Sequence, residues 1–191
     1  MCVFCGSSSG KHPVYTEATL TLARLFIENQ YTLVYGGGKI GLMGVMADEM
    51  LKLGGEVIGI IPDFLLRKEV GHRGITQLIS VDTMQERKAI LLEKSDAFIA
   101  LPGGFGTLDE IFEVISLAQL QLLKKPYAFL NTNGFYNHLK TFLLHAYNEG
   151  FIAKEYYDMV IFESEPEILI EKIKHFSHPC VDKAEQALKN Q

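Results

Sequence analysis

The sequence predicts a Rossmann-like α/β domain built on a doubly wound parallel sheet. Short apolar runs alternate with helical patterns along the whole chain of 191 residues. The runs are apolar throughout, which is typical of parallel strands covered by helices on both faces. Three loops rich in glycine or serine follow predicted strands, at the end where such sheets bind ligands. We therefore expect a single catalytic domain over residues 1–178 and a polar tail over residues 179–191.

Strands and helices are predicted in alternation. The predicted strands are Cys2–Cys5, Thr32–Tyr35, Val57–Ile61, Gln77–Val81, Ala97–Leu101, Tyr127–Leu130 and Met159–Phe162. The predicted helices lie near Val14–Asn29, Leu42–Leu53, Met84–Lys94, Leu108–Leu123, Tyr136–Asn148 and Pro166–His175. Residues 62–74 have little periodicity and predict a loop that covers a site.

Composition narrows the classes of partner. Hydrophobic residues make up 48% of the chain and charged residues 21%, as in a globular protein. The net charge of −5 gives no global attraction to nucleic acid, and no apolar run has the roughly 20 residues that span a membrane. Cys2 and Cys5 point to opposite faces of one strand, which disfavours a redox or zinc pair and predicts buried, reduced thiols in the cytoplasm. The six histidines have no metal-binding spacing, so we expect neither metal nor cofactor.

A phosphate site is predicted where an apolar strand meets the glycine turn at residues 102–107 and a helix follows. Glycines let backbone N–H groups approach an anion, and a helix N-terminus adds free donors and positive partial charge. The expected phosphate-binding residues are Ser8 in the first loop, Gly37, Gly38 and Gly41 in the second, and Gly103, Gly104, Gly106 and Thr107 in the third. The alternative is that the glycines serve only tight turns and close packing.

The second loop also matches the dinucleotide fingerprint Gly36-x-Gly38-x-x-Gly41. Two features disfavour NAD. The motif follows the second predicted strand instead of the first, and the acidic residue about 20 positions on, Glu56, lies at the start of the next strand, where it does not reach a ribose.

Carboxylates beside the phosphate site suggest chemistry, because a carboxylate repels a bound phosphate. Glu110 and Glu113 share a face of the predicted helix 108–123 and form paired carboxylates at the crevice edge, where Glu113, like Lys88, is expected to contact substrate. The alternative for Glu110 is a capping box with Thr107. On the helix 84–94, Thr83 and Glu86 form a second capping box. Arg87 and Lys88 lie near the N-terminus of that helix, where a positive charge opposes the helix dipole. An anionic partner would explain why cations occur at these two positions. Lys88 is equally consistent with a solvated face.

Three motifs occur together in this chain, and a characteristic segment opens it. The motifs are Val34-Tyr35-Gly36-Gly37-Gly38 with Gly41-Leu42-Met43-Gly44, Met84-x-x-Arg87-Lys88, and Pro102-Gly103-Gly104-Phe105-Gly106-Thr107-x-x-Glu110. The opening segment is Val3-Phe4-Cys5-Gly6-Ser7-Ser8. Over residues 1–175 this combination resembles the LONELY GUY family, cytokinin riboside 5′-monophosphate phosphoribohydrolases often mislabelled as lysine decarboxylases. The motif at 102–107 alone also occurs in molybdenum-cofactor carriers.

The resemblance implies a Rossmann-like fold and hydrolysis of the N-glycosidic bond of AMP or isopentenyl-AMP, with Arg87 and Glu110 as catalytic residues. It also implies a homodimer, which the apolar outer surface of the helix 108–123 supports unless neighbouring helices of the same chain bury it. The other hypotheses are a non-catalytic carrier of a nucleotide or molybdenum cofactor and an AMP-sensing module. A pyridoxal-phosphate decarboxylase is disfavoured, because no lysine has a recognisable Schiff-base setting.

Overall fold

The computed structural model describes residues 1–68 and 70–177. The strands are β1 Cys2–Phe4, β2 Leu33–Tyr35, β3 Val57–Pro62, β4 Gln77–Val81, β5 Phe98–Ala100, β6 Tyr127–Leu130 and β7 Ile161–Glu163. The helices are α1 Pro13–Glu28, α2 Gly41–Lys52, α3 Asp63–Arg67, α4 Met84–Glu93, α5 Phe105–Gln119, α6 Asn137–Asn148, α7 Lys154–Asp158 and α8 Pro166–Lys174, with a short 3-10 turn at Thr132–Gly134.

The seven strands form one parallel sheet in the spatial order β4-β3-β2-β1-β5-β6-β7. β1 lies between β2 and β5, so the chain winds outward in both directions from the centre. The order reverses between β1 and β5, and the loops that leave these two strands diverge there to form a crevice. The predicted fold class and all seven strands are confirmed, with shifts of one or two residues at their ends.

Two apolar cores cover the two faces of the sheet. One contains Leu22 and Phe26 of α1, Met46 of α2 and Leu169 of α8. The other contains Leu91 of α4 and the α5 residues Ile111, Val114 and Ala118, together with Phe129 of β6. α1 and α5 therefore lie on opposite faces and begin on either side of the central crevice.

The two cysteines of β1 and its following loop lie on opposite faces, as predicted. Cys2 packs in the core under α5 and Cys5 in the core under α1, and both are free thiols. Burial raises the pKa of each thiol well above its usual range. Both are therefore protonated and poor nucleophiles at neutral pH.

Three details of the sequence prediction were wrong. The loop predicted over residues 62–74 contains α3, and its Gly71 pairs with Gly38 in an antiparallel bridge. α7 was not predicted. The helix predicted over residues 108–123 begins three residues earlier and ends at Gln119, because the chain turns at Gln121 with a φ of 61°. The predicted tail, 179–191, lies outside the described residues, and the domain boundary near 178 stays a prediction.

Within the described ranges, no helix combines the length and the apolar character needed to cross a membrane.

Candidate active site

The N-terminus of α5 forms one wall of a cavity at the carboxyl ends of β1 and β5. Gly104 precedes the helix with an extended backbone, and the helix begins at Phe105. The N–H groups of residues 105–107 have no acceptor inside the helix and carry its positive partial charge. A Cβ atom at Gly104 or Gly106 would meet nothing within 4 Å, so the chain is not packed against a neighbour at these two glycines. This wall is suited to a phosphate.

We call this space the Arg87–Glu110 cavity. Its volume is about 230 Å³. The lining residues come from five segments: Val3, Phe4, Cys5, Gly6 and Ser7; Gly36; Met43; Arg87; and Gly104, Phe105, Gly106, Thr107 and Glu110. The cavity therefore combines helix donors, one buried cation and one buried carboxylate.

The capping-box interpretation of Glu110 is wrong, because α5 begins before Thr107. Thr107 is the third residue of the helix, and its hydroxyl lies where a Cβ atom on Gly103 would stand, within 2.1 Å. Glu110 instead faces α4, where its Oε1 lies 2.7 Å from Nη1 of Arg87. The capping box predicted at the start of α4 is confirmed in part. The Thr83 hydroxyl accepts from the N–H of Glu86 at 3.1 Å. The Glu86 carboxylate accepts from the backbone N–H of Asp82, one residue before the cap, instead of from that of Thr83.

Arg87 is held by contacts on three sides. Its Nε donates to the carbonyl oxygen of Ile60 in β3 at 3.1 Å, and Nη1 meets Glu110. Nη2 lies over Gly36, where a Cβ atom would approach it to 2.2 Å. A side chain at Gly36 would therefore displace the guanidinium. These contacts explain how sequence positions 36, 87 and 110 come together.

The Glu110 carboxylate is in an unusual electrostatic environment. Burial raises its pKa, the Arg87 guanidinium opposes that effect, and the net pKa remains above the usual range. The side chains of Arg87 and Glu110 are only 11% and 9% exposed. Oε1 is fully buried and lies 2.7 Å from Nη1 of Arg87. Arg87 therefore holds this oxygen of a carboxylate that lines the cavity.

Lys88 and Glu113, both expected to contact substrate, do not line this cavity. Lys88 Nζ lies 3.0 Å from Glu113 and 3.3 Å from Asp109 on the outer side of the α4–α5 contact. The hydrogen bond with Glu113 raises the pKa of Lys88. The two residues satisfy each other's charge, which accounts for their pattern in the sequence without a ligand.

Gly37, Gly38 and Gly41 also lie behind the cavity wall. Gly37 has a φ of +74° and packs against Ile61, so it has no room for a side chain. Gly41 has a φ of +60°, and a Cβ atom there would come within 2.4 Å of the Ser8 nitrogen. For these residues the structure favours the packing alternative, whereas Gly36 of the same loop lines the cavity.

A second cavity, which we call the serine-loop cavity, adjoins the first. Ser8, Gly103 and Gly104 line it, and Gly104 lines both cavities. Parts of all three predicted loops therefore line the two cavities. The sequence prediction did not include these lining residues of the Arg87–Glu110 cavity: Val3, Phe4, Cys5, Gly6, Ser7, Gly36, Met43 and Phe105. Most of these residues lie just after β1, just after β2 or at the start of α5, and those positions were the available sequence signals of a cavity-lining role.

No three histidine, cysteine, aspartate or glutamate side chains come together to hold a metal ion anywhere in 1–68 or 70–177.

Fold and site together define a Rossmann-like protein with a helix N-terminus and a buried Arg–Glu pair at the central crevice. Residues 43–173 match the family model described as "Possible lysine decarboxylase". The chain is 44% identical over 176 residues to cytokinin riboside 5′-monophosphate phosphoribohydrolase LOG5 of Arabidopsis thaliana, covering 92% of this chain and 77% of that protein. It is 48% identical over 153 residues to LOG7 of the same plant, covering 80% and 70%. The chain belongs to this LOG family.

Solved structures share the fold at lower identity. A molybdenum cofactor binding protein from Rippkaea orientalis superimposes with a TM-score of 0.68 and 24% identity, covering 91% of this chain and 94% of that one. The molybdenum cofactor carrier protein of Chlamydomonas reinhardtii gives a TM-score of 0.67 at 16% identity, with 91% and 94% covered. At these identities the likeness establishes the architecture only.

Proposed function

We propose that the protein hydrolyses the N-glycosidic bond of purine or cytokinin nucleoside 5′-monophosphates, releasing the free base and ribose 5-phosphate. The observation that carries the proposal is the buried Arg87–Glu110 pair beside the free N–H groups of α5. The helix donors and the Glu110 carboxylate line the same cavity, which supports binding of a phosphate near a carboxylate that acts on the bound nucleotide. Relatives that share 41–48% identity with this chain are named for this activity.

The substrate orientation follows from these contacts. The 5′-phosphate lies against the N–H groups of Phe105, Gly106 and Thr107, which fixes the ribose in front of Glu110. Cleavage passes through an oxocarbenium-like state, which the carboxylate of Glu110 stabilises while it orients or activates water. Arg87 positions Glu110 and keeps its charged form accessible, because the guanidinium lowers a pKa that burial raises.

The first test compares substrates. Pure protein without added metal or cofactor should convert AMP or isopentenyl-AMP to base and ribose 5-phosphate. The matching nucleosides should react far more slowly, because they lack the phosphate that orients the ribose. Equal kcat/KM values with and without the phosphate would contradict the proposed orientation.

A non-catalytic carrier using the same loops is the second candidate, since carriers share the fold. A carrier of an anionic ligand gains nothing from a buried carboxylate at its site, because that carboxylate repels the ligand and costs free energy to bury. The Arg87–Glu110 pair therefore favours the enzyme. A carrier or sensor would return bound nucleotide intact.

The active protein is proposed to be a homodimer whose interface borders the cavity. After α5 the chain exposes Leu120 and Leu122, at 52% and 72%, so the helices within residues 1–68 and 70–177 do not bury them. A second copy covering this apolar surface would place its own residues near α4. Light scattering coupled to gel filtration should give twice the chain mass of 21.4 kDa. A fully active species at 21.4 kDa would contradict the dimer.

A cytoplasmic location is also proposed. Its support is the pair of free, buried thiols at Cys2 and Cys5, which suits a reducing compartment.

A further inference from the structure

The serine-loop cavity lies on the α1 side of the central crevice. Its volume is about 280 Å³. It is lined by the loop residues Gly6, Ser7, Ser8, Ser9 and Gly10, by Tyr15 and Leu42, and by Pro102, Gly103, Gly104 and Phe135. Gly6, Ser7 and Gly104 line the Arg87–Glu110 cavity as well. The two cavities therefore meet beside the N-terminus of α5.

The lining of the serine-loop cavity is uncharged and includes two aromatic rings. The rings of Tyr15 and Phe135 lie 5.9 Å apart in an edge-to-face arrangement, and Phe135 remains 41% exposed. None of the lining residues carries a formal charge. Ser8 uses its hydroxyl oxygen to accept from the N–H of Gly10 at 3.2 Å. Such a wall suits a flat ring rather than a second phosphate.

The proposed substrate orientation fixes which end of a nucleotide faces this cavity. With the glycosidic carbon at Glu110 and the phosphate at residues 105–107, the phosphate lies at the wall that both cavities share. A group attached to that phosphate extends past Gly104 into the serine-loop cavity. Each cavity alone is smaller than the range of about 300–1,000 Å³ typical of small-molecule sites, whereas the adjoining pair falls within it.

We propose that the serine-loop cavity is a base-binding subsite, in which the rings of Tyr15 and Phe135 contact a second base carried on the far side of the 5′-phosphate. The ligand class is the 5′,5′-linked dinucleotides. This inference rests on the proposed function only for the orientation of the first nucleotide. It predicts that such dinucleotides occupy both cavities and block hydrolysis of the mononucleotide.

Binding to the Glu110→Gln protein, which should not consume ligand, tests the inference by titration calorimetry. The probes are AMP, ADP and diadenosine 5′,5′-diphosphate; ADP has the second phosphate but no second base. Stacking on aromatic side chains should make the dinucleotide bind roughly fivefold or more tightly than ADP. The dinucleotide should also inhibit AMP hydrolysis by the unsubstituted protein competitively. Equal affinity of the dinucleotide and ADP would overturn the subsite.

Variants that alter only the serine-loop cavity locate the second base. Ser9→Phe fills the cavity, and Phe135→Leu keeps an apolar side chain but removes the ring. Both should abolish the preference for the dinucleotide while AMP binding and hydrolysis persist. Phe142→Leu is the matched control, because Phe142 is 61% exposed and lines neither cavity.

The outcomes separate the two proposals. If the preference survives both Ser9→Phe and Phe135→Leu, the second base binds elsewhere and the assignment is wrong. If AMP is hydrolysed but the dinucleotide binds no better than ADP, the proposed function stands and the subsite fails. If AMP is neither bound nor hydrolysed, the proposed function is wrong, and so is the proposed orientation of the nucleotide in the Arg87–Glu110 cavity.

Discussion

Arg87 and Lys88 are neighbours on α4, and each meets an acidic residue of α5, but the two contacts differ in their exposure to solvent. The Arg87 and Glu110 side chains are 11% and 9% exposed and face a cavity. The Lys88 and Glu113 side chains are 20% and 37% exposed, and Asp109 beside them is 59% exposed. Two ion contacts one residue apart in sequence thus lie in different environments.

The difference bears on whether each contact serves folding or the proposed chemistry. Exposed ion pairs add about 0–1 kcal/mol to stability and are common on surfaces. A buried pair costs several kcal/mol of desolvation, and apolar residues of similar size are often as stable or more so. Retaining Arg87 and Glu110 inside a cavity is therefore better explained by chemistry than by folding. The predictions below compare the two contacts, beginning with the largest effect.

Glu110→Gln should lower turnover by about 100-fold or more, because it removes charge stabilisation of the transition state while keeping the size of the side chain. AMP binding should remain, since the helix donors are untouched. Glu113→Gln on the same helix is the matched control and should retain most activity. Steady-state turnover and calorimetric AMP titrations measure both effects. If the two glutamine variants lose activity equally, the distinction between buried and exposed contacts is wrong.

Arg87→Ala should lose activity and lower the free energy of unfolding by about 3 kcal/mol at neutral pH, because it leaves the buried Glu110 carboxylate without its counter-charge. Urea denaturation measures the change. Adding Glu110→Gln to Arg87→Ala should restore much of the stability but none of the activity. An Arg87→Ala protein as stable as the unsubstituted one would show that the pair is not coupled.

The pH dependence of kcat/KM should have an acid limb above the ordinary carboxyl range, because burial raises the pKa of Glu110 and the ionised form is required. Lys88 lowers that pKa slightly through its charge, so Lys88→Ala should move the limb a little toward higher pH. If kcat/KM stays constant as the pH falls to the usual carboxyl pKa, the predicted rise in the pKa of Glu110 is wrong.

The raised pKa of Glu110 should also affect how the free energy of unfolding depends on pH. A carboxyl whose folded-state pKa is raised binds more protons in the folded protein than in the unfolded one. Its favourable contribution is fully present below the ordinary carboxyl pKa and is lost as the pH rises through the raised value. Unfolding curves of Glu110→Gln should lack this loss, and a loss that persists in that variant belongs to another residue.

Lys88→Ala should give the smallest effect on folding, below about 1 kcal/mol, because the Lys88 contacts are partly exposed. Thermal or urea unfolding alongside Arg87→Ala measures it. A change as large as that of Arg87→Ala would remove the contrast between the two contacts.

Local sequence patterns predicted the fold and the loops well, because apolar periodicity and glycine turns act within a few residues. They also pointed to Arg87 and Glu110, which the fold brings together at one cavity and whose catalytic role stays a prediction. They failed where the answer depended on distant packing. Thr107 and Glu110 have the spacing of a capping box, but α5 starts at Phe105, and Glu110 is drawn to a guanidinium 23 positions away in sequence.

The glycine loop at residues 36–41 shows the same limit. Its pattern predicts close approach of a backbone to some partner without naming the partner. For Gly41 the partner is the backbone of Ser7 and Ser8, and for Gly36 it is the Arg87 guanidinium. Only the folded chain distinguishes an approach to a ligand from an approach to another loop.

The most direct test of the central claim is to analyse what the protein does with bound AMP. The unsubstituted protein and the Glu110→Gln variant are each incubated with saturating AMP or isopentenyl-AMP. Chromatography then measures the free base, and a coupled assay measures ribose 5-phosphate. The account predicts equal amounts of both products from the unsubstituted protein, and bound but nearly uncleaved nucleotide from the variant. Recovery of intact nucleotide from both proteins would contradict it and favour a carrier or sensor.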